Sequence, residues 1–271
     1  MTIVSTYSPR RRRRFIALIG VVVVTILAVT FRTVLLRTQL HPSCSVASSS
    51  GDTYRLDPEQ AQNASIIAAE GHRLGVADHG VTVAIAAALQ ETNLRNLSYG
   101  DRDSRGLFQQ RPSQGWGTPA ELMDPAFAAT AFYRKLFTVP GWGSMAVSDA
   151  AQRVQRSANP QAYAEWEPRA RALARALTGE VAGGLACRFR TFDSSPPAAG
   201  ALTQAASAQF GSAVLGVPVG TKLGWAVAAW SVAHAYRYHV ASVTYAGRRW
   251  VASRGTWTNV PSVSDNVMIT G

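Results

Sequence analysis

The stretch Gly80–Glu91, GVTVAIAAALQE, governs how the rest of the chain reads. It carries no charge before its last residue, and its apolar side chains fall on every side of a 3.6-residue repeat. A helix that is apolar nearly all round belongs inside a core, so the stretch predicts a buried central helix. It ends on Gln90-Glu91 and runs into residues 92–120, rich in Gly, Asn, Asp, Ser and Pro, which read as a structured loop region with little regular structure. A carboxyl at that junction is half desolvated and faces the negative end of the helix dipole. Both effects disfavour the carboxylate and raise its pKa, as a general acid near neutral pH requires. On helix position alone a plainer reading stays open, in which Glu91 is only the first exposed residue after a core helix.

Outward from that helix the signals are local and regular. Asp57-Pro58-Glu59 is an N-cap, a proline at the first helical position and an acid in the first turn, and predicts a helix through AQNASIIAAEGHRL that stops at Gly75. Asp124-Pro125 restarts a helix to about Phe137, Ser148-Asp149 is expected to cap another, and Asn159-Pro160 to start the last. Pro168 should break or kink that last helix before it ends at Gly179. Residues 56–187 are therefore expected to form an all-helical domain with one long polar insertion, where function should be sought. Within 188–203, the run Asp193 to Gly200, an acid followed by paired serines, prolines and alanines, has the composition of a linker. Residues 204–271 read as a small α+β domain: a helix over Thr221–Tyr238, a hairpin of Val240–Tyr245 and Arg249–Ala252 around Ala246-Gly247, and a third strand at Asn266–Thr270. Trp225, Trp230, Trp250 and Trp257 can form a sugar-binding face there, but a small core that needs large side chains is the favoured reading.

The N-terminus points to a membrane. Phe15–Phe31, FIALIGVVVVTILAVTF, is 17 residues without a charge. As a helix it would reach ~25 Å, and continuing to Leu36, with Arg32 snorkelling to the interface, completes a span over 15–36. The arginines 10–14 directly before it keep the tail 1–14 cytoplasmic and send the rest outside. Residues 37–55 are then expected to be a stalk. An uncleaved anchor is favoured over a signal peptide because the small-residue pattern Ser45-Val46-Ala47 lies far beyond the apolar end. His41-Pro42-Ser43 before Cys44 is not a lipobox. Of the net charge of +11, seven arginines (10–14, 32 and 37) lie in this N-terminal part, which leaves +4 for the remainder. That excludes a nucleic-acid footprint and suits an anionic wall or membrane surface. The two cysteines, Cys44 and Cys187, bracket the helical domain, and in an exported chain pairing is the default. The five histidines show no His-x-x-x-His, and Cys-x-x-Cys, Gly-x-Ser-x-Gly and P-loop patterns are absent, so neither metal nor cofactor is expected.

The segment Asn96–Gln110, NLSYGDRDSRGLFQQ, is dense in small, polar and sugar-stacking residue types. With Glu91-Thr92 before it and Gly106-Leu107-Phe108-Gln109 within it, it resembles the lysozyme-like superfamily of soluble lytic transglycosylases and goose-type lysozymes. There a Glu-Ser at a helix end is followed by a Gly-Leu-Met-Gln turn. Gly100-Asp101-Arg102 looks like the corresponding goose-type stretch, and Gly100–Gly117, GDRDSRGLFQQRPSQGWG, is similar to actinobacterial exported proteins of this kind. The resemblance covers roughly 55–185. More loosely, the Gly-Arg-Arg-Trp hairpin near the C-terminus looks like small domains attached to other actinobacterial wall hydrolases.

The resemblance implies an α+β chain with a mainly helical lysozyme-like domain, and Glu91 as the acid that protonates the MurNAc–GlcNAc glycosidic oxygen. It implies that Gly106 lets the backbone approach the sugar, that Gln109 lines the cleft, that Thr92 keeps a hydroxyl and that Phe108 keeps an apolar wall. Gln155 and Tyr163 sit where the family has later cleft motifs, with Tyr163 placed to hydrogen-bond Glu91, although the Ala-Tyr-Asn pattern of many transglycosylases is absent. Inverting and retaining glycosidases need a second carboxylate. Asp101 and Asp103 are the candidates, and both read equally well as loop carboxylates paired with Arg102 or Arg105. A lytic transglycosylase needs only one Glu, acting as acid and then base, and that mechanism is the favoured one. Trp116, Trp142 and Trp166 can stack on sugars, with Trp166 expected to be an anchor. The expected partners are peptidoglycan glycan strands, the membrane, and a wall or secretion complex. The rival is a catalytically silent glycan-binding scaffold, which has no chemical need for an intact Glu91.

Overall fold

A computed structural model describes residues 9–156, 160–189 and 199–271 of the chain. It divides into two compact units, Met1–His41 and Pro42–Gly271. The first contains helix α1 (Pro9–Leu40), which covers the stretch expected to be the anchor. The side chains of 9–15, 17 and 33–40, the arginine run among them, lie outside the described residues. The large apolar side chains described between Ile16 and Phe31 are exposed, while Thr25 and Thr30 return their hydroxyls to the carbonyls of Val21 and Ile26 one turn back. Among the described residues no helix is long and apolar enough to cross a membrane.

The second unit begins with two strands, β1 (Ser43–Ala47) and β2 (Thr53–Leu56), followed by α2 (Pro58–Arg73) and α3 (Asp78–Thr92). Asp57 and Gln60 form a reciprocal capping box at the start of α2, as the Asp-Pro-Glu signal predicts in kind. After the polar loop come α4 (Pro119–Leu122), α5 (Pro125–Phe137) and α6 (Val147–Gln155). A 3-10 stretch, Pro160–Trp166, leads into α7 (Glu167–Leu177), so Pro168 sits in a first turn, where its missing N–H costs nothing. Strand β3 (Leu185–Arg188), helices α8 (Ala199–Phe210) and α9 (Thr221–Tyr238), and strands β4 (Ser242–Tyr245), β5 (Arg248–Val251), β6 (Thr256–Asn259) and β7 (Met268–Thr270) complete it. The architecture is α+β: a mainly helical middle with a small C-terminal antiparallel sheet, ordered β6-β5-β4-β7.

Helix α3 is the centre, buried from Gly80 to Leu89 and packed by α2, α5, α6 and α7. Three expectations are corrected here. The stretch 43–55, expected as part of the stalk, lies in the antiparallel pair β1–β2, which ends at Leu56. Strand β1 also pairs with β3 in register Cys44↔Cys187, so 56–187 is not all helical: its two ends are sewn together by a three-stranded sheet, β2-β1-β3. Ser148 and Asp149 do not cap α6, whose N-cap is Ala146. The Cys44–Cys187 disulfide is present within that sheet. The linker expected at 188–203 lies largely outside the described residues, as does Asn159. The linker's described end, 199–203, is the start of α8, and α8 and α9 pack against α2, so the C-terminal elements share one core with the helical middle. Trp225, Trp230 and Trp250 are buried in that core, which accounts for three of the four C-terminal tryptophans as packing rather than as a sugar-binding face.

Candidate active site

Glu91 lies in the last turn of α3, half-buried, where the helix leaves the core. The Tyr163 hydroxyl, fully buried, donates to Glu91 Oε1 at 2.8 Å, as expected of that tyrosine. The Gln155 side chain, at the end of α6, supplies a second hydrogen bond. Burial pushes the Glu91 carboxyl above its ordinary pKa, and the bonds from Tyr163 and Gln155 pull it part of the way back. Neighbouring Gln90 accepts from Trp166 Nε1 at 2.6 Å, which makes Trp166 the anchor it was expected to be and fixes the approach of 160–166 to α3.

The chain after Glu91 turns sharply. Asn93 and Leu94 both adopt left-handed backbone conformations, φ 51° and 61°. For a fully buried leucine that costs of order 1–2 kcal/mol, held in place by its surroundings. The holding groups come from α2: Gln60 Nε2 donates to the Asn93 carbonyl at 2.9 Å and Asn63 Nδ2 to the Leu94 carbonyl at 2.8 Å. Neither buried amide was singled out in the sequence, and a polar pair inside an Ala-rich helix is the only signal that pointed to them.

No family model and no curated protein matches this chain. The functional reading therefore stands on the geometry of the residues themselves.

Three residues expected to face the sugar face the interior instead. Thr92 is buried and donates its hydroxyl to the Ala88 and Leu107 carbonyls, pinning the Gly-Leu-Phe-Gln turn to the end of α3. Phe108 is buried and stacks on Phe132 at 4.9 Å between ring centroids, as part of the core. Gly106 is buried with φ 76°, and a Cβ there would stand 2.1 Å from the Leu122 carbonyl oxygen, so its lack of a side chain serves the backbone of α4 rather than a ligand. Gly106→Ala is expected to cost about 2–4 kcal/mol, since left-handed strain and a backbone clash add. Thermal unfolding checks this, and an unchanged midpoint would refute it. Gln109 is half-buried, with Nε2 within 3.3 Å of the Tyr99 and Gly106 carbonyls, which makes it a loop brace at the rim.

The candidate second carboxylates separate cleanly. Asp103 accepts from Arg111 Nε at 2.9 Å and from the Ser113 amide and hydroxyl at 2.8 and 3.0 Å, which hold its carboxyl well below the usual carboxylate range. It is a loop carboxylate, paired with Arg111 rather than with Arg102 or Arg105. Asp101 is exposed over 88% of its side chain, beside Arg102 at 4.0 Å. Neither belongs to the hydrogen-bond set around Glu91.

Gln155 joins this set to open space. Besides bonding Glu91, its Nε2 donates to the Phe108 carbonyl at 2.8 Å, and the residue lines a cleft of about 630 Å³ between the 114–116 loop, α5 and α6. Trp116 and Phe127 supply aromatic walls to this cleft, and Arg134, Lys135 and Arg156 supply cations. Trp142, by contrast, lies stacked on His79.

Proposed function

We propose that the chain is a peptidoglycan glycosidase working outside the cytoplasm, in which Glu91 alone serves as general acid and then general base. The observation that carries the reading is the Glu91–Tyr163–Gln155 set: one carboxyl, biased towards its protonated form by burial and held by hydrogen-bond donors, while Asp103 is taken up by Arg111 and Ser113. Such a group can protonate a glycosidic oxygen near neutral pH. Once deprotonated, it can take the proton from the substrate's own C6 hydroxyl as that oxygen closes on the anomeric carbon. The product is then a 1,6-anhydro sugar, and no carboxylate is needed to activate water. The cleft beside Gln155 has room and aromatic faces for the strand. The disulfide fits folding in an oxidising compartment, and the apolar, exposed stretch of α1 fits the anchor read from the sequence.

The test is to incubate the full-length chain, in non-ionic detergent, with purified peptidoglycan and identify released muropeptides by mass. Anhydro-ended products from the parent and none from Glu91→Gln support the proposal. Reducing-ended products would point to a hydrolase and bring Asp101 back into the mechanism. No products, with strand still bound, would favour the silent scaffold.

Tyr163→Phe gives a finer test. The hydroxyl favours ionised Glu91, so its loss is expected to raise the Glu91 pKa further. Activity that needs protonated Glu91 falls as pH rises through that pKa, so the alkaline limb of kcat/KM should move to higher pH. An unmoved limb would detach Tyr163 from the chemistry.

A further inference from the structure

The cleft beside Gln155 carries three cations and, among the described residues that line it, no acid. Arg134 and Lys135 lie in the last turn of α5, and Arg156 is the C-cap of α6. A basic residue at a helix end is favoured by the helix dipole, which is a sufficient local reason for cations there. Elsewhere in this unit some cations at helix ends are neutralised: Arg73, in the last turn of α2, holds Glu70 at 2.6 Å, and Arg175, in the last turn of α7, holds Glu180 at 2.6 Å. Arg153 in the last turn of α6 and Arg237 in the last turn of α9 form no ion pair among the described residues, and neither lines this cleft. None of the ion pairs of the described residues involves Arg134, Lys135 or Arg156. Their three charges converge from two helices on one cavity that also offers Trp116 and Phe127. Nor do they act on Glu91, whose shift comes from burial and its two hydrogen-bond donors. A concave, partly apolar wall with uncompensated positive charge concentrates anions.

We propose that Arg134, Lys135 and Arg156 read carboxylates on the bound strand, so that the cleft selects an anionic β-1,4-glycan over a neutral one of the same backbone. The inference rests on the glycan-cleaving reading above and assigns to it the residues that discriminate between strands. Aromatic faces take the sugar rings, which are alike in both kinds of strand. The cations discriminate through carboxylates, which a chitin oligomer lacks and a muramyl strand carries on its lactyl groups or its peptide stems. Exposed pairs of this kind are individually weak and screened by salt, so the effect should appear as a sum and shrink with ionic strength.

The experiment measures binding, not turnover, with the full-length Glu91→Gln chain in non-ionic detergent so that no strand is consumed. Three probes are compared: chitohexaose, which is neutral; strands stripped of their stems, which expose lactyl carboxylates; and strands with intact stems. At low salt the carboxylated strands are expected to bind about tenfold tighter than chitohexaose, with the ratio falling towards one at high salt. Tighter binding of stripped strands assigns the lactyl group, and tighter binding of stem-bearing strands assigns the peptide carboxylates. Adding Arg134→Gln, Lys135→Gln and Arg156→Asn should collapse the ratio. Asn is chosen because position 156 has φ 54°, which it tolerates. The charge-conserving pair Arg134→Lys and Lys135→Arg should keep the ratio, which separates charge from fold. Equal binding of neutral and charged strands, or a ratio that survives the neutralised variant, overturns the proposal while leaving the glycosidase reading intact. No binding of any strand overturns both.

Discussion

Glu91→Gln is expected to lower the release of glycan fragments by about 10²–10⁴-fold, the usual contribution of a positioned general acid–base group. The amide keeps the shape of the side chain and can still accept from Tyr163, so the loss isolates the proton. The same substitution should raise stability at neutral pH. Burial raises the folded-state pKa of Glu91 above its unfolded value. As pH rises past the unfolded value the unfolded chain ionises first, and stability is lost until the folded-state pKa is passed. A neutral amide avoids that loss, so the thermal midpoint of the variant should exceed the parent's at neutral pH and converge with it below the ordinary carboxylate range. A variant that is inactive but less stable at pH 7 would mean that Glu91 is held by its charge, as a structural acid, and the catalytic assignment would fail.

Replacing both Cys44 and Cys187 by alanine is expected to cost about 2–5 kcal/mol, because the bridge closes a loop of 143 residues in sequence separation. For a chain of this size that is a fall of roughly 5–20 °C in thermal midpoint. The bond ties β1, the central strand of the β2-β1-β3 sheet, to β3, so it joins the beginning of the helical middle to its end. Cleft binding should survive at temperatures where the variant is folded, since neither cysteine lines the cleft. Scanning the parent with and without reductant gives the same comparison without mutation. Equal midpoints would show that the sheet and helical core hold the two ends without the bond.

Much of the fold was readable from local signals. The Asp-Pro starts at 57–58 and 124–125, the all-apolar stretch ending at Glu91 and the Ala246-Gly247 turn each specify their element by capping, periodicity or turn chemistry, which act within a few residues. The pairing of 43–47 with 53–56 and 185–188 was not readable. Strands of four or five residues carry little pattern of their own, and register depends on a partner far along the chain. Strand β6 and helix α8 were missed for related reasons: β6 is short and largely exposed, and α8 is rich in Ala with a weak apolar stripe.

By itself the sequence determined that a buried helix ends at Glu91 and that a carboxyl there is desolvated; the family resemblance placed Tyr163 beside it, while Gln155 was expected only among the cleft residues. Tertiary structure alone decided which way the polar loop faces. Thr92, Gly106 and Phe108 turn inward because the Leu107 carbonyl, the Leu122 carbonyl and the Phe132 ring meet them there. Arg134, Lys135 and Arg156 come together on one cleft because α5 and α6 end beside it. A residue's type limits what it can bond, but direction in a loop is set by groups tens of residues away, and those become neighbours only when the core closes.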